Sequence, residues 1–255
     1  MIKKPYVQFA VFLGLLGMTM GAQAKDWPAP IKALEAKGVE VIGTFDAPGG
    51  LSGYAGMIEQ QPLAIYLTAD GKQAIVGAMI DAQGVDLSQE PLNRLVSKPM
   101  TEKVWKLLEG SSWIADGAKN APRVIYTFTD PNCPYCNKFW KDARPWVKAG
   151  KVQVRHVIVA ILGPTSPGKA AALLSAQDPQ AALTQHEQQH GSGGIKPLAQ
   201  VSPKVRAQLD ANQMLMQQLG FSATPTTLYK DGDGNLKNMQ GAPSAEMLGR
   251  ILGPR

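Results

Sequence analysis

A short stretch that contains both cysteines decides the fold of this chain: residues 129–140 read TDPNCPYCNKFW. The segment before it, residues 123–129, reads RVIYTFT, and its β-branched and aromatic residues predict a strand. The apolar spacing after Cys133 predicts a helix that reaches about Lys148, and residues 152–160 predict a second strand. These segments form a βαβ unit, in which Cys133 lies where the first strand ends and the helix begins.

The position of the two cysteines predicts redox chemistry. Unpaired N–H groups and the dipole at a helix N-terminus stabilise an anion, so we expect the Cys133 thiolate to form at a lower pH than that of a free cysteine. Pro134 suits the first helical turn, where its missing N–H donor costs nothing. Cys136 lies one turn further in. We expect it to be less exposed and to act as the resolving thiol, which attacks a mixed disulfide on Cys133.

Two other uses of a Cys-x-x-Cys pair fit the sequence less well. A structural zinc site needs four ligands, and the chain has only two cysteines, so the site would have to be shared between chains. An inert disulfide between Cys133 and Cys136 would close a loop too short to remove much entropy from the unfolded chain. The sequence therefore favours a redox-active Cys133–Cys136 disulfide and predicts no metal site.

The first 24 residues have the features of a secretory signal peptide. Lys3 and Lys4 give a positive start, residues 7–20 are mostly apolar, and the triplet AQA at residues 22–24 matches a cleavage motif. We expect residues 1–24 to be removed on export to a compartment where disulfides persist. The apolar run is shorter than the roughly 20 residues that a spanning helix needs, so we expect no membrane anchor. An uncleaved N-terminal anchor is the alternative.

Composition and charge exclude several classes of protein. With 44% hydrophobic and 18% charged residues, the chain is an ordinary globular protein rather than a disordered, collagen-like or coiled-coil one. Loss of the two lysines of the signal peptide lowers the net charge from +6 to +4. The remaining basic residues are scattered, which predicts no nucleic-acid partner.

The rest of the chain predicts a mixed α/β architecture, in which two domains are joined by a helix. Residues 25–85 predict a small N-terminal domain that is marginal alone, so burial against a second copy would stabilise it. Residues 86–112 predict a linker helix with Thr101 as its N-cap. Residues 113–255 predict the catalytic domain, with a helical insertion at about residues 163–219. Within the small domain we expect a helix over residues 31–37 and strands over residues 39–45, 63–68 and 73–80.

The strand, the Cys-x-x-Cys pair and the helix after it resemble the thioredoxin superfamily. A more specific likeness joins three motifs: DPNCPYCNKFW at residues 130–140, ARPW at residues 143–146 and TFDAPGG at residues 44–50. Together they are similar to the DsbC/DsbG family of periplasmic thiol:disulfide interchange proteins. The likeness covers nearly the whole mature chain.

The resemblance implies a thioredoxin-like domain preceded by a small cystatin-like dimerisation domain and a linker helix. Two such chains would pair through their N-terminal domains into a V-shaped homodimer, with both catalytic domains facing a shared cleft. The family carries a cis-proline beside the active-site sulfurs, and Thr224-Pro225 occupies the matching place as a substrate-binding loop. The resemblance also implies a periplasmic location, no cofactor, and reduction of the cysteine pair by the membrane reductase DsbD.

The resemblance leaves the client chemistry open. Cys133 could attack a cysteine sulfenic acid, after which Cys136 resolves the mixed disulfide. It could instead attack a wrong disulfide and isomerise it, as DsbC-type isomerases do. Those isomerases typically carry Gly-Tyr between their cysteines, so Pro134-Tyr135 here favours sulfenic acid reduction. A non-enzymatic, chaperone-like dimer whose cleft holds unfolded chains is the alternative from another class.

Residues 186–190 read HEQQH and match the H-E-x-x-H pattern of zinc proteases. A third ligand would be required, and Lys196 stands where the longer form of the motif needs a histidine. We therefore expect these side chains to form a solvated polar face of the insertion, with a zinc protease as a remote alternative.

Overall fold

The computed structural model describes residues 26–254, so the predicted signal peptide lies outside the described residues. The described chain forms two β-sheets with a linker helix between them in sequence. The N-terminal sheet consists of β1 (Glu40–Asp46), β2 (Ser52–Ile58), β3 (Gln61–Leu67) and β4 (Ala74–Val76). The second sheet consists of β5 (Trp113–Asp116), β6 (Arg123–Thr129), β7 (Val152–Ile158), β8 (Thr226–Lys230) and β9 (Leu236–Gln240). The helices are α1 (Ala29–Glu35), α2 (Gln89–Leu92), α3 (Lys98–Glu109), α4 (Pro134–Lys148), α5 (Ser166–Leu174), α6 (Pro179–Gln188), α7 (Pro203–Gln218) and α8 (Ala245–Leu252).

The N-terminal sheet is antiparallel throughout, in the order β1-β2-β3-β4, and it is covered on both faces. Helix α1 buries Ile31 against one face, next to Ile65. The other face packs Phe45 against Val96 of the linker. The sequence patterns did not predict β2, because two glycines interrupt its apolar residues. One of them is required by packing: a Cβ at Gly53 would lie 2.4 Å from the Phe45 ring.

The linker helix begins earlier than predicted. Helix α2 continues through a π-helical segment, Asn93–Ser97, into α3 without a break. Thr101 therefore lies inside the helix and is not its N-cap. Its hydroxyl donates to the Ser97 carbonyl at 2.7 Å and accepts from the Leu236 N–H at 2.8 Å. Thr101 thus ties the linker helix to β9 of the second sheet.

The second sheet has the order β5-β7-β6-β8-β9. Strands β6 and β7 are parallel and α4 crosses between them, which is the predicted βαβ unit, while the other neighbours are antiparallel. Helices α4 and α8 cover one face, where Ile125 packs with Phe139 and Ile251. Helices α3 and α7 cover the other face, where Phe128 packs with Leu108. The carboxyl end of β6 therefore delivers the chain straight into the cysteine segment.

The insertion consists of α5, α6 and α7, which share an apolar core of their own. Leu173, Leu183 and Leu209 pack with Ile114 and Ile158 at the β5 side of the sheet. This contact places α5 and α6 beside the turn that follows β6. Among residues 26–254, no helix has the length and apolar content that crossing a bilayer requires.

Candidate active site

Cys133 caps the N-terminus of α4. Its backbone is extended, with φ −80° and ψ 112°, and Pro134 occupies the first helical position, as the sequence predicts. The Cys136 N–H donates to the Cys133 sulfur at 3.2 Å. Both cysteines are free thiols. The sulfur of Cys133 is thus aimed at the unpaired N–H groups of the first helical turn, which favour a negative charge.

The surroundings of Cys133 stabilise its thiolate. A hydrogen bond from the Cys136 side chain is the largest cause that lowers the pKa of Cys133 to about 6, from an ordinary value of 9.0. Burial works against this shift, while Thr224 and the N–H groups of Cys136 and Tyr135 add to it. At pH 7, a pKa of about 6 leaves roughly nine tenths of the sulfur as thiolate.

Cys136 has the opposite character. Burial, followed by the hydrogen bond and charge of Cys133, raises the pKa of Cys136 well above 9.0. The expectation that Cys136 is the less exposed of the two is wrong, because each residue is 2% exposed. The two sulfurs differ in the stability of their charge rather than in their exposure. Burial is the largest cause of the raised pKa of Cys136, whereas Cys133 is stabilised as a thiolate by the Cys136 side chain and by N–H groups of the first turn.

A loop with a cis peptide bond lies against the nucleophile. The Thr224–Pro225 peptide bond is cis. The Cys133 sulfur lies 3.3 Å from the Thr224 carbonyl oxygen, to which it donates when it is protonated. The loop is itself held in place, since the Gly241 N–H donates to the Pro225 carbonyl at 2.8 Å. Next to this buried sulfur, Tyr135 is 62% exposed and offers an aromatic surface beside the site.

The turn before Cys133 is anchored by the buried carboxylate of Asp130. One of its oxygens accepts from the Asn132 N–H and the Ser166 hydroxyl, each at 2.8 Å. The other accepts from the N–H groups of Ile161 and Leu162, at 2.7 and 2.9 Å. Four hydrogen bonds satisfy a charge that would otherwise be costly to bury.

A buried ion pair lies beneath α4. Arg144 binds Asp116 through both guanidinium ends, and the His156 ring lies 3.5 Å from the same carboxylate. Burial works to raise the pKa of Asp116, but the hydrogen bonds of His156 and Arg144 outweigh it and lower the pKa to about 2. This pair fixes the body of α4 to β5.

Comparisons with known proteins agree with this geometry. A family model described as a thioredoxin-like domain matches residues 114–253. The thiol:disulfide interchange protein DsbG of Pseudomonas aeruginosa is 50% identical, over 95% of this chain and 95% of that protein. DsbG of Escherichia coli is 41% identical, over 91% of this chain and 94% of that protein. This chain belongs to the DsbG family. The predicted resemblance to the DsbC/DsbG family and the predicted thioredoxin-like fold are thereby confirmed.

A solved structure supports the fold of the catalytic part of this DsbG-family chain. The catalytic domain of Proteus mirabilis ScsC matches it with a TM-score of 0.52 at 24% identity. The match covers 61% of this chain and 96% of that domain. At that identity the likeness concerns the fold alone.

The structure brings together all four site residues that the sequence predicts for this DsbG-family chain. Cys133, Cys136, Thr224 and Pro225 meet where α4 begins. Sequence reasoning missed Asp130, because nothing in its local pattern indicates that three of its four hydrogen bonds come from residues some thirty positions away.

The expectation that the HEQQH segment forms a solvated face holds for Gln188 and Gln189, which are exposed, but is wrong for the two residues that begin it. His186 is 1% exposed and Glu187 is 2% exposed. Both ring nitrogens of His186 are engaged by main-chain groups of the protein, at 2.9 Å to the Pro131 oxygen and 3.0 Å to the Ile195 nitrogen. Within residues 26–254, no three His, Cys, Asp or Glu side chains gather as metal ligands. The geometry therefore disfavours the zinc-protease alternative.

Proposed function

We propose that this DsbG-family chain is a periplasmic thiol:disulfide oxidoreductase that reduces oxidised cysteines of exported proteins. Cys133 acts as the nucleophile and Cys136 as the resolving thiol. The observation that carries the proposal is the different setting of two neighbouring thiols: the Cys133 sulfur caps α4 and accepts from the Cys136 N–H at 3.2 Å, with its pKa lowered to about 6, whereas burial raises the pKa of Cys136 well above 9.0. The Cys133 sulfur can thus attack as a thiolate, while the Cys136 sulfur stays protonated until the second step.

The reaction with a sulfenic acid follows from this arrangement. The Cys133 thiolate attacks the client sulfur, an S–S bond forms as the S–O bond breaks, and hydroxide leaves and takes up a proton as water. The Cys136 thiolate then attacks the Cys133 sulfur, and the client leaves as a thiolate. Two electrons have passed from the protein sulfurs to the client, and a Cys133–Cys136 disulfide remains. DsbD, a membrane dithiol reductase, would reduce this disulfide in turn.

The two steps occur in the right order because the charge of Cys133 controls Cys136. The negative charge of Cys133 is one of the causes that raise the pKa of Cys136. Formation of the mixed disulfide removes that charge. The pKa of Cys136 therefore falls at the stage at which Cys136 must attack, and not before.

We assign client binding to the loop of Thr224 and Pro225. The Thr224 carbonyl oxygen lies 3.3 Å from the Cys133 sulfur, so a chain bound across the sulfur would pass close to it. Tyr135, two residues after Cys133, adds exposed aromatic surface. We assign to these two residues the contacts with the peptide segment around an oxidised client cysteine.

We also propose that the chain works as a homodimer, paired through residues 25–85. Four apolar side chains form an exposed patch at the edge of the N-terminal sheet, which we call the β4 edge patch: Ile75, Val76, Ile80 and Val85. Each of them is more than half exposed. Strand β4 is bonded to β3 along one side and ends the described sheet on the other. An exposed edge strand with apolar side chains is a template for pairing with another chain.

Light scattering on residues 25–255 tests the dimer. We expect the mass of two chains, and Val76→Lys should reduce it to the mass of one chain. Met214→Lys is the matched control, since Met214 is equally exposed but lies on α7 of the catalytic domain. The mass of one chain for the unmodified protein at micromolar concentration would overturn the dimer proposal.

A trapping experiment tests the activity. The full chain with Cys136→Ser is expressed with its signal peptide, so that the reaction stops at the mixed disulfide on Cys133, and the bound partners are identified by mass spectrometry. We expect partners that carry mainly a single cysteine, the outcome that sulfenic acid reduction requires. Mainly multi-cysteine partners would establish disulfide isomerisation instead. The control, with Cys133→Ala added, should trap nothing.

The same variants separate an enzyme from a non-enzymatic chaperone. If Cys133→Ala protects periplasmic client proteins as well as the unmodified chain does, the redox proposal is wrong and binding alone explains the protection.

A further inference from the structure

The buried histidine of the HEQQH segment contacts the main chain just before the nucleophile. The His186 Nε2–H donates to the Pro131 carbonyl at 2.9 Å, two residues before Cys133. The Ile195 N–H donates to His186 Nδ1 at 3.0 Å. Because a main-chain N–H can only donate, Nδ1 is the acceptor and the proton lies on Nε2. Burial lowers the pKa of His186 to about 4, so the ring is neutral at pH 7 and keeps this tautomer.

The next residue contacts the chain just after the resolving thiol. The Asn137 side-chain amide donates to the Glu187 carboxylate and to the Glu187 carbonyl, each at 2.7 Å. Asn137 directly follows Cys136 and is itself buried. Two consecutive residues of α6 therefore hold the two ends of the Cys133–Cys136 segment.

The backbone around α6 is shaped to admit the His186 ring. Gly194 has a left-handed φ of +64°, and a Cβ built there would lie 2.4 Å from His186 Nδ1. A side chain at this position would collide with the imidazole. This close approach is independent of the hydrogen bonds, and it indicates that the local fold accommodates the ring in one position.

We call the contacts of His186 with Pro131 and of Glu187 with Asn137 the clamp. The clamp affects the chemistry because it controls the lengths of the hydrogen bonds to the thiolate. Cys133 depends on donors of the first turn of α4, among them the Cys136 N–H at 3.2 Å. Those N–H groups stay directed at the Cys133 sulfur only if the turn before Cys133 and the start of α4 keep their relative positions. His186 holds the turn before Cys133, and Glu187 holds the start of α4.

We propose that His186 and Glu187 are positioning residues, through which the helical insertion sets the stability of the Cys133 thiolate. They touch neither sulfur and act through Pro131 and Asn137. The proposal rests on the proposed function in that it concerns the same cysteine pair. It assigns the H-E-x-x-H segment of this chain to redox geometry, not to metal binding.

Titration of the Cys133 thiolate by its ultraviolet absorbance tests the proposal. His186→Leu and Glu187→Leu should each raise the pKa of Cys133 by about one unit, because weaker hydrogen bonds stabilise the thiolate less. His186→Gln keeps an amide donor for the Pro131 carbonyl, and Glu187→Gln keeps an acceptor for Asn137. Both conservative variants should recover at least half of the shift.

The equilibrium with glutathione gives a second readout. A rise of one unit from a pKa of about 6 reduces the thiolate stabilisation of the dithiol at pH 7 about fivefold. We therefore expect the leucine variants to shift about fivefold toward the disulfide form.

A matched control separates positioning from loss of structure. Leu183 is buried on the same helix, one turn before the clamp, and packs in the apolar core of the insertion. Leu183→Ala should lower the melting temperature without moving the pKa of Cys133. If the leucine variants move that pKa no more than Leu183→Ala does, the proposal is wrong.

Should a leucine variant not fold, Asn137→Ala removes the donor to Glu187 from the side of α4 and should give the same pKa shift. No shift in that variant would equally overturn the role of Glu187. The titration needs no client and no electron donor, so its result does not depend on whether the proposed reductase activity is found.

Discussion

Replacement of Cys136 by alanine should raise the pKa of Cys133 from about 6 to between about 7 and 8, whereas replacement by serine should leave it near its present value. The hydrogen bond from the Cys136 side chain is the largest single cause of the low pKa, and alanine removes it while serine keeps a donor. Hydrogen bonds to charged groups contribute about 1.5–3 kcal/mol. At 1.36 kcal/mol for each unit, that contribution corresponds to roughly one to two pKa units.

The higher pKa of Cys133 in the alanine variant would hardly change the reaction rate at neutral pH. The alanine variant has a smaller thiolate fraction at pH 7, about one half to one tenth instead of nine tenths. Its thiolate is intrinsically more nucleophilic, by roughly three- to eightfold for a Brønsted coefficient of about 0.4–0.5. The two effects nearly cancel. At about pH 5.5 roughly one quarter of the unmodified sulfur is thiolate, against about 3% or less in the alanine variant, and we expect that variant to react roughly three- to tenfold more slowly.

The assay is therefore a pH series of both thiolate absorbance and alkylation rate, on the alanine and the serine variant. Adding Cys133→Ala to each variant gives the baseline absorbance without the nucleophile. If the pKa of Cys133 in the alanine variant stays within about 0.3 units of the unmodified protein, the backbone N–H groups alone hold the thiolate. The assignment of the main cause to the Cys136 side chain would then be refuted.

Three further predictions concern stability, each measured by urea unfolding. The pKa of Asp116 is about 2 in the folded protein against 3.8 in the unfolded chain, which adds about 2 kcal/mol to the free energy of unfolding. This contribution is complete above pH 3.8 and is lost as the pH falls through 2. Asp116→Asn should therefore remove this part of the loss of stability in acid. Gly53→Ala should lower the free energy of unfolding by about 1–3 kcal/mol, because the new Cβ would lie 2.4 Å from the Phe45 ring. The control Gly249→Ala should raise it by about 0.5–1 kcal/mol, because Gly249 lies in a helix with open space around it. Thr101→Val should cost about 1–3 kcal/mol, because a main-chain N–H of β9 loses its acceptor; an unchanged stability would show that water replaces the hydroxyl.

The parts of the fold that could be predicted from the sequence are those whose signals are local. Strand β6 and helix α4 were predicted with their ends nearly correct, because β-branched residues, a helix-starting proline and apolar spacing lie within the segments themselves. Strands β2 and β5 were missed for a physical reason. The glycines of β2 have low strand propensity and are accepted only because Phe45 packs over one of them, and β5 is four residues long and depends on its partner β7.

The reactive centre of the site could be predicted, and its support could not. A helix N-terminus and the spacing of two cysteines indicate chemistry without any knowledge of the tertiary structure. The burial of His186 and Glu187 depends on the packing of an insertion some fifty residues away. One signal was available: Leu183 is followed by His186 and Glu187 at the three- and four-residue spacing of a single helix face. Extending the apolar face of α6 along that spacing would have predicted that both are buried.

The burial of Cys133 next to the cis-proline loop also affects how long its sulfur escapes irreversible oxidation. A sulfur that is largely thiolate at pH 7 is readily driven past sulfenic acid to the irreversible sulfinic and sulfonic states. Cys133 is only 2% exposed, and its sulfur lies 3.3 Å from the Thr224 carbonyl oxygen. Little of the surface of this sulfur is therefore open to collision with dissolved oxidants, which slows the damage. Burial thus lengthens the working life of the Cys133 thiolate, because irreversible oxidation of this sulfur would end its chemistry.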